Sequence, residues 1–305
     1  MILTKSFAKF VVFLVASLVL LLLKACNLSP PTVANVEIEH NLAPTEISLQ
    51  TSDLSQEGYQ IVLNFISPLS NSQRNVFENA ARRWEQIVTG DLPTVFVEAN
   101  GLFIDDLLID VITVIIDGQG GVLGEAGPRA LRITSGLPAA GVMEFDIDDL
   151  QKLETEGQLE KVILHEMLHV LGFGTIWRRN EFNLSRGIFY PRYIGEQARS
   201  IYQSVFSLSP FFGLSIPLET DGGPGIRGQH WSESLFGNEL MTGFIDEGFS
   251  PISSVTIASL VDLGYEVDFS QAEDFSPLGR NRTTSEPLGH CRVLNDLPID
   301  WVKEL

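Results

Sequence analysis

His165-Glu166-Met167-Leu168-His169-Val170-Leu171-Gly172-Phe173 sets two histidines four residues apart around a glutamate, with a glycine three residues beyond. On a helix, residues four apart share one face, so both imidazoles can reach one metal ion. Glu166, next to His165, can then reach a water held by that ion. Leu159, Val162, Ile163, Met167, Val170 and Leu171 recur at helical spacing, and 155–173 reads as one amphipathic helix. Thr155 and Gln158 have capping-box spacing at its start, and Gly172 is placed to turn the chain sharply out of its end. Two helix histidines beside a surface glutamate is the plain alternative. A helix that must stop and turn directly after the second histidine favours zinc chemistry of the kind used for peptide-bond hydrolysis.

Catalytic zinc takes three protein ligands and leaves a fourth position open. The helix-plus-glycine pattern would put a third histidine at position 175, which is Thr175. His40, His230 and His290 are the remaining histidines. His40 lies in a polar stretch and His290 in a Pro/Gly/Arg-rich tail, and both read as surface residues. His230 follows the glycine-rich run Asp221–Gly228 and precedes Trp231, with Glu239-Leu240-Met241-Thr242-Gly243 shortly after. A glutamate ligand from Glu181 or Glu196 is the competing arrangement.

The combination of the helix motif, a long insertion, Gln229-His230-Trp231 and then Glu239-Leu240-Met241-Thr242 resembles the leishmanolysin-like zinc metallopeptidases of the metzincin group. In that family an insert of about sixty residues displaces the third histidine, and a methionine turn follows it. The resemblance runs from about Gly58 to Asp268. It implies zinc on His165, His169 and His230, Glu166 as general base, and Met241 as a hydrophobic floor, with Gly172 turning the chain. It also implies an α+β, metzincin-like fold: an N-terminal mixed β-sheet subdomain with two long helices, an irregular C-terminal subdomain, and the zinc cleft between them. Peptides or proteins are the implied substrates. The chain departs from leishmanolysin proper in having two cysteines and little sequence after the methionine turn. It looks like a minimal bacterial-type member. A non-catalytic zinc-containing surface lipoprotein is the non-enzyme reading.

Residues 1–25 read as a signal peptide: Lys5 and Lys9 precede the apolar run Phe10–Leu23. Fourteen apolar residues suit export better than a membrane span of about twenty. Leu23-Lys24-Ala25-Cys26 resembles a lipoprotein cleavage box, making Cys26 a candidate for lipidation. The protein is thus expected to be exported, either released or held at a membrane through an N-terminal lipid or anchor. Residues 26–57 read as a polar tether, 58–270 as the catalytic domain and 271–305 as a C-terminal tail. Cys291 reads as a tail residue on the surface, although His290-Cys291 has the chemistry to cap a zinc site. The full sequence carries a formal charge of −19, which argues against nucleic-acid partners. Asp146-Ile147-Asp148-Asp149 is an acidic run in which calcium binding is conceivable, but it lacks the spacing of a dedicated loop.

Upstream, Tyr59–Ile66, Thr94–Glu98, Leu107–Ile116 and Gly141–Asp146 read as strands, Asn71–Val88 as a helix, and Gly118–Gly127 as a glycine-rich loop. A peptidase of this kind binds its substrate as an added strand on a sheet edge, and Val122–Ala126 or Gly141–Phe145 are the two candidate edges. Pro251–Leu263 reads as a helix capped by Ser253 or Ser254, with Gly264 beyond it. No tyrosine or histidine after the methionine turn stands out as an oxyanion assistant, and nothing in the sequence supports Tyr265 in that role.

Overall fold

The structure is a computed structural model that describes residues 58–97, 101–209, 212–277, 287–294 and 297–305. The segments read as a signal peptide and a polar tether, with Cys26 and His40, lie outside the described residues. In chain order the elements are β1 (Ile61–Phe65), α1 (Asn71–Ile87), β2 (Val95–Val97), β3 (Leu102–Ile104), β4 (Leu107–Val114), β5 (Val122–Arg132), β6 (Pro138–Asp146), α2 (Ile147–Thr155) and α3 (Leu159–Val170). They continue with β7 (Ser185–Arg186), β8 (Arg192–Tyr193), α4 (Glu196–Val205), β9 (Ile216–Pro217), α5 (Glu233–Phe236), β10 (Phe244–Ile245), α6 (Ser254–Leu263), β11 (Gly289–Val293) and β12 (Asp300–Glu304). The expected α+β class holds.

The main sheet runs β1-β4-β6-β5-β12-β2-β3. β1, β4 and β6 are parallel, and β5 lies antiparallel to β6. Ile109 and Val111 of β4 are fully buried, as a near-continuous apolar strand between two neighbours should be. Helix α1 is fixed at its start by a complete capping box between Ser70 and Gln73. It buries Phe77, Ala80, Trp84 and Ile87, and the Trp84 indole donates to the Leu164 carbonyl of α3 at 3.1 Å. That bond locks the motif helix against the first helix.

The structure corrects five expectations. Of the segment read as one helix over 155–173, only Leu159–Val170 forms α3; Thr155 is the last residue of α2, and Gly157 with φ +67° separates the two. No capping box forms there, because the Thr155 hydroxyl donates back to the Gln151 carbonyl and Gln158 makes no side-chain cap. The glycine-rich loop ends at Gly121, and Val122–Arg132 is the longest strand of the sheet. The C-terminal stretch is no surface tail. β12 pairs in parallel with Ala130–Arg132 of β5, and β11 pairs in parallel with its Val122–Ala126 half. Finally, β6 lies between β4 and β5, so Gly141–Phe145 is interior and offers no edge.

After α3, three short strands order β7-β8-β9 form a small antiparallel sheet within the insertion. Helix α6 begins at Ser253, whose hydroxyl accepts from the Thr256 N–H, and ends at Gly264 with φ +110°. Among the described residues no helix is long and apolar enough to cross a membrane.

Candidate metal centre

Helix α3 carries His165 and His169 one turn apart, and the chain leaves it at Gly172, where φ is +113°. The following loop returns across the site, and Thr175, at the position where a third histidine was sought, instead donates its hydroxyl to the His169 carbonyl at 2.9 Å. The third imidazole comes from His230. The Nε2 atoms of His165, His169 and His230 lie 2.9, 2.9 and 3.1 Å apart, and all three side chains are buried.

The donor set decides what fits there. The Nδ1 atoms of His165, His169 and His230 sit 2.8, 2.8 and 3.0 Å from the carbonyls of Leu240, Phe173 and Ile226. A carbonyl only accepts, so each Nδ1 carries the proton and each Nε2 presents a lone pair. Three lone pairs within about 3 Å of one another repel unless a cation lies among them. Burial holds all three imidazoles in the neutral form a metal requires, pushing His165 down to about 3 and His230 to about 4. These residues fit a zinc ion with three nitrogen ligands and an open fourth position. The backbone carbonyls are the outer partners that fix ring orientation.

Glu166 is fully buried beside His165, and neither of its carboxylate oxygens has a hydrogen-bond partner of good geometry. Burial pushes its carboxyl well above the ordinary range, and the nearby Glu125 adds to this while the Cys291 thiol opposes it. A cation held by the histidines would favour the ionised form, and this unpartnered carboxylate could then accept from a water or a substrate group. Gly124 of β5 makes room for it: a Cβ there would lie 3.1 Å from Glu166 Oε1 and 3.3 Å from the Glu144 carbonyl.

Two further carboxylates hold the loops. Glu239 Oε2 accepts from the Met241 N–H at 2.6 Å, and its Oε1 accepts from the Ser253 N–H, the Ser253 hydroxyl and the Thr256 hydroxyl. Thr256 in turn accepts from the Trp231 indole at 2.8 Å. The tight turn at Met241 is thereby tied to α6. Its Leu240 carbonyl faces His165, and its Met241 carbonyl accepts from the Trp231 N–H at 3.0 Å. Glu219 accepts from the Thr220, Asp221 and Glu233 N–H groups, and its own N–H donates to the His230 carbonyl. Behind the histidines, Phe173, Trp177, Tyr193, Trp231 and Phe236 form a wall of edge-on and stacked rings 4.4–5.5 Å between centroids.

The structure therefore brings His165, Glu166, His169 and His230 together and buries Met241 close by in the chain to Leu240. Glu181 does not join them: its carboxylate lies 4.0 Å from Arg179, and neither it nor Glu196 belongs to the histidine cluster. Tyr265 donates its hydroxyl to the Leu171 carbonyl at 3.0 Å, so it anchors the end of α3. Asp146 is unsuited to calcium, because its oxygens accept from the N–H groups of Ile116, Asp117, Gly118 and Asp148.

The leishmanolysin family profile matches residues 100–285, which span the motif helix, the insertion, His230 and the methionine turn. The chain belongs to the leishmanolysin family. A leishmanolysin of Leishmania donovani is 30% identical over 189 residues, covering 60% of this chain and 31% of that protein. A leishmanolysin of Leishmania chagasi is 25% identical over 272 residues, covering 80% and 42%. A ciliated left-right organizer metallopeptidase of Xenopus laevis is 25% identical over 152 residues, covering 43% and 20%. The chain thus spans between a fifth and about two fifths of the length of the curated relatives it matches.

Sequence reasoning on this leishmanolysin-family chain missed Gly124, Glu219, Gly174 and the placement of Cys291. Gly174 had a signal: two glycines so close after the second histidine call for a backbone crossing. With φ +75°, its missing Cβ would sit 2.3 Å from the Gln229 carbonyl, so this crossing brings the His230 loop onto α3.

Proposed function

We propose that this chain is an exported zinc-dependent endopeptidase whose metal is held by His165, His169 and His230 and whose general base is Glu166. The observation that carries the reading is the convergence of three Nε2 lone pairs, each fixed by an Nδ1–carbonyl bond, beside a buried carboxylate with no partner. Zinc held there would supply Lewis-acid chemistry, polarising a scissile carbonyl and making a water more acidic than in bulk. Glu166 removes the proton from the attacking water and passes it to the departing amine nitrogen. The turn at Met241 and the aromatic wall keep the imidazoles in register, so little reorganisation is needed at reaction. The cleft would lie between the sheet with α1 and α3 on one side and the irregular segment carrying His230 and Met241 on the other, as in a metzincin-like fold. Val122–Ala126 of β5 would be the strand that aligns an extended peptide. The basic-then-apolar sequence of residues 1–25 supports export, and Cys26 supports lipid anchoring.

The test is cleavage of an unstructured protein such as casein, with and without chelator, by the wild type and by Glu166→Ala. Wild-type cleavage should stop with chelator and return with zinc. The variant should bind zinc in equal stoichiometry while losing at least about 10²-fold in turnover. Full activity in the zinc-loaded variant would overturn the role of Glu166.

A further inference from the structure

His165, Glu166, His169 and His230 are all shut off from solvent, although a peptidase must admit a peptide to them. β11 is one of the strands packed beside them. It lies in parallel against β5 with Cys291 opposite Gly124 and Val293 opposite Ala126, and its other edge pairs with β10, three residues past Met241. The His290 N–H donates to the Gly121 carbonyl at 2.8 Å, the Leu294 N–H to the Ala126 carbonyl at 2.9 Å and the Val293 N–H to the Gly225 carbonyl at 3.0 Å. This one segment therefore takes up hydrogen-bonding groups of the candidate substrate strand and of the loop that leads to His230. Cys291 is fully buried and lies opposite Gly124, whose missing Cβ would sit 3.1 Å from Glu166 Oε1. Every residue of the metal centre precedes β11 in the chain, and β11 contributes no histidine to it.

We infer that β11 is an autoinhibitory strand: it occupies on β5 the place of an extended substrate, sets Cys291 against Glu166, and must leave before the site works. The inference rests on the peptidase reading above. An added strand is what a sheet edge recognises, because main-chain bonds supply the affinity whatever the sequence. Arg292 pairs with Glu125 at 2.8 Å, and Gly289 passes so close to β5 that a Cβ there would lie 2.7 Å from the Gly121 carbonyl. Both can be broken without touching a metal ligand or Glu166.

The experiment uses the full chain carrying Cys26→Ala, so that Cys291 is the single thiol. This parent is compared with Arg292→Glu and Gly289→Leu, each loaded with zinc. Two rates are read: modification of the thiol by a disulfide reagent in native buffer, and cleavage of an internally quenched peptide. Both should be slow in the parent and rise about tenfold or more together in the variants, with zinc content and circular dichroism unchanged. Should Gly289→Leu unfold, Arg292→Glu carries the test by itself, since it reverses one partly exposed charge. A parent that cleaves at the variants' rate with its thiol still protected overturns the inference, as does a thiol exposed without faster cleavage. No cleavage by any zinc-loaded form, with the thiol exposed in the variants, would instead sink the peptidase reading on which the inference stands.

Discussion

Glu239 shows how much of a metal site can depend on a residue that never touches the metal. It is buried, and burial raises its carboxyl above the ordinary value against the pull of the Thr256 and Ser253 hydroxyls and two N–H groups. Glu239→Ala would strand the Met241 and Ser253 N–H groups in a dry interior and free the turn whose Leu240 carbonyl orients His165. We expect a loss of about 3–5 kcal/mol in urea unfolding and weaker zinc retention against a chelating dye. A loss below about 1 kcal/mol would show that the turn holds without it. Asp106 makes a prediction about pH. Burial raises it from 3.8 to about 6, despite bonds from the Leu92 and Gln60 N–H groups. Between those values the folded chain holds a proton that the unfolded chain has released. Its contribution to stability is therefore complete below about pH 4 and is lost as pH rises through about 6. The unfolding free energy of wild type minus Asp106→Asn should fall by about 1–3 kcal/mol from pH 4 to pH 7. A rise over that range would reverse the assignment. His165, Glu166 and His169 were legible in the sequence because a helix enforces their spacing, whereas Glu239 was legible only as part of a pattern, since nothing local says what a carboxylate will accept.

Helix α3 was legible by period, and so were α1 and α6, whose caps stand at their starts in plain view. Strand β5 was legible only as the candidate edge Val122–Ala126, inside a stretch read as a loop, and the reason is physical. Gly124 and Gly127 look like loop residues, but they are small because Glu166 and the Leu294 carbonyl pass where their side chains would be. β11 was missed for a related reason: its partner strand lies more than 160 residues away in the chain. Short-range pattern carries no information about such a pairing. The same logic of close approach gives an element-level test at the crossing of α3's exit and the His230 loop. Gly174→Ala meets the Gln229 carbonyl and must also adopt φ near +75°, so it should cost about 2–4 kcal/mol and weaken zinc binding. Gly120→Ala, with φ +80° and open space around its Cβ, should cost only about 1–2 kcal/mol and leave zinc affinity unchanged. Equal zinc affinities in the two variants would show that the crossing does not position His230.

At the scale of the whole molecule, the proposed zinc ion would join parts of the chain that are distant in sequence. His165 and His169 come from one helix packed on α1, while His230 comes from a loop sixty-one residues further on. Without a cation the three Nε2 lone pairs oppose this assembly, so metal binding and the ordering of the His230 and Met241 loops should be one linked equilibrium. A ligand present at 1,000 times its Kd adds about 4 kcal/mol to stability, and in a chain of this size that corresponds to a Tm increase on the order of 10 °C. Chelation should therefore lower Tm by about that amount, and zinc should restore it. Hydrogen exchange should locate the loss. Amides of residues 226–245 should lose protection in the metal-free protein, whereas those of β4 and β6, buried in the centre of the sheet, should keep theirs. A chelated protein with unchanged Tm and unchanged exchange at 226–245 would mean that the histidine triad is held by the surrounding fold alone, and the carbonyls of Leu240, Phe173 and Ile226 would then have to supply the whole of its order.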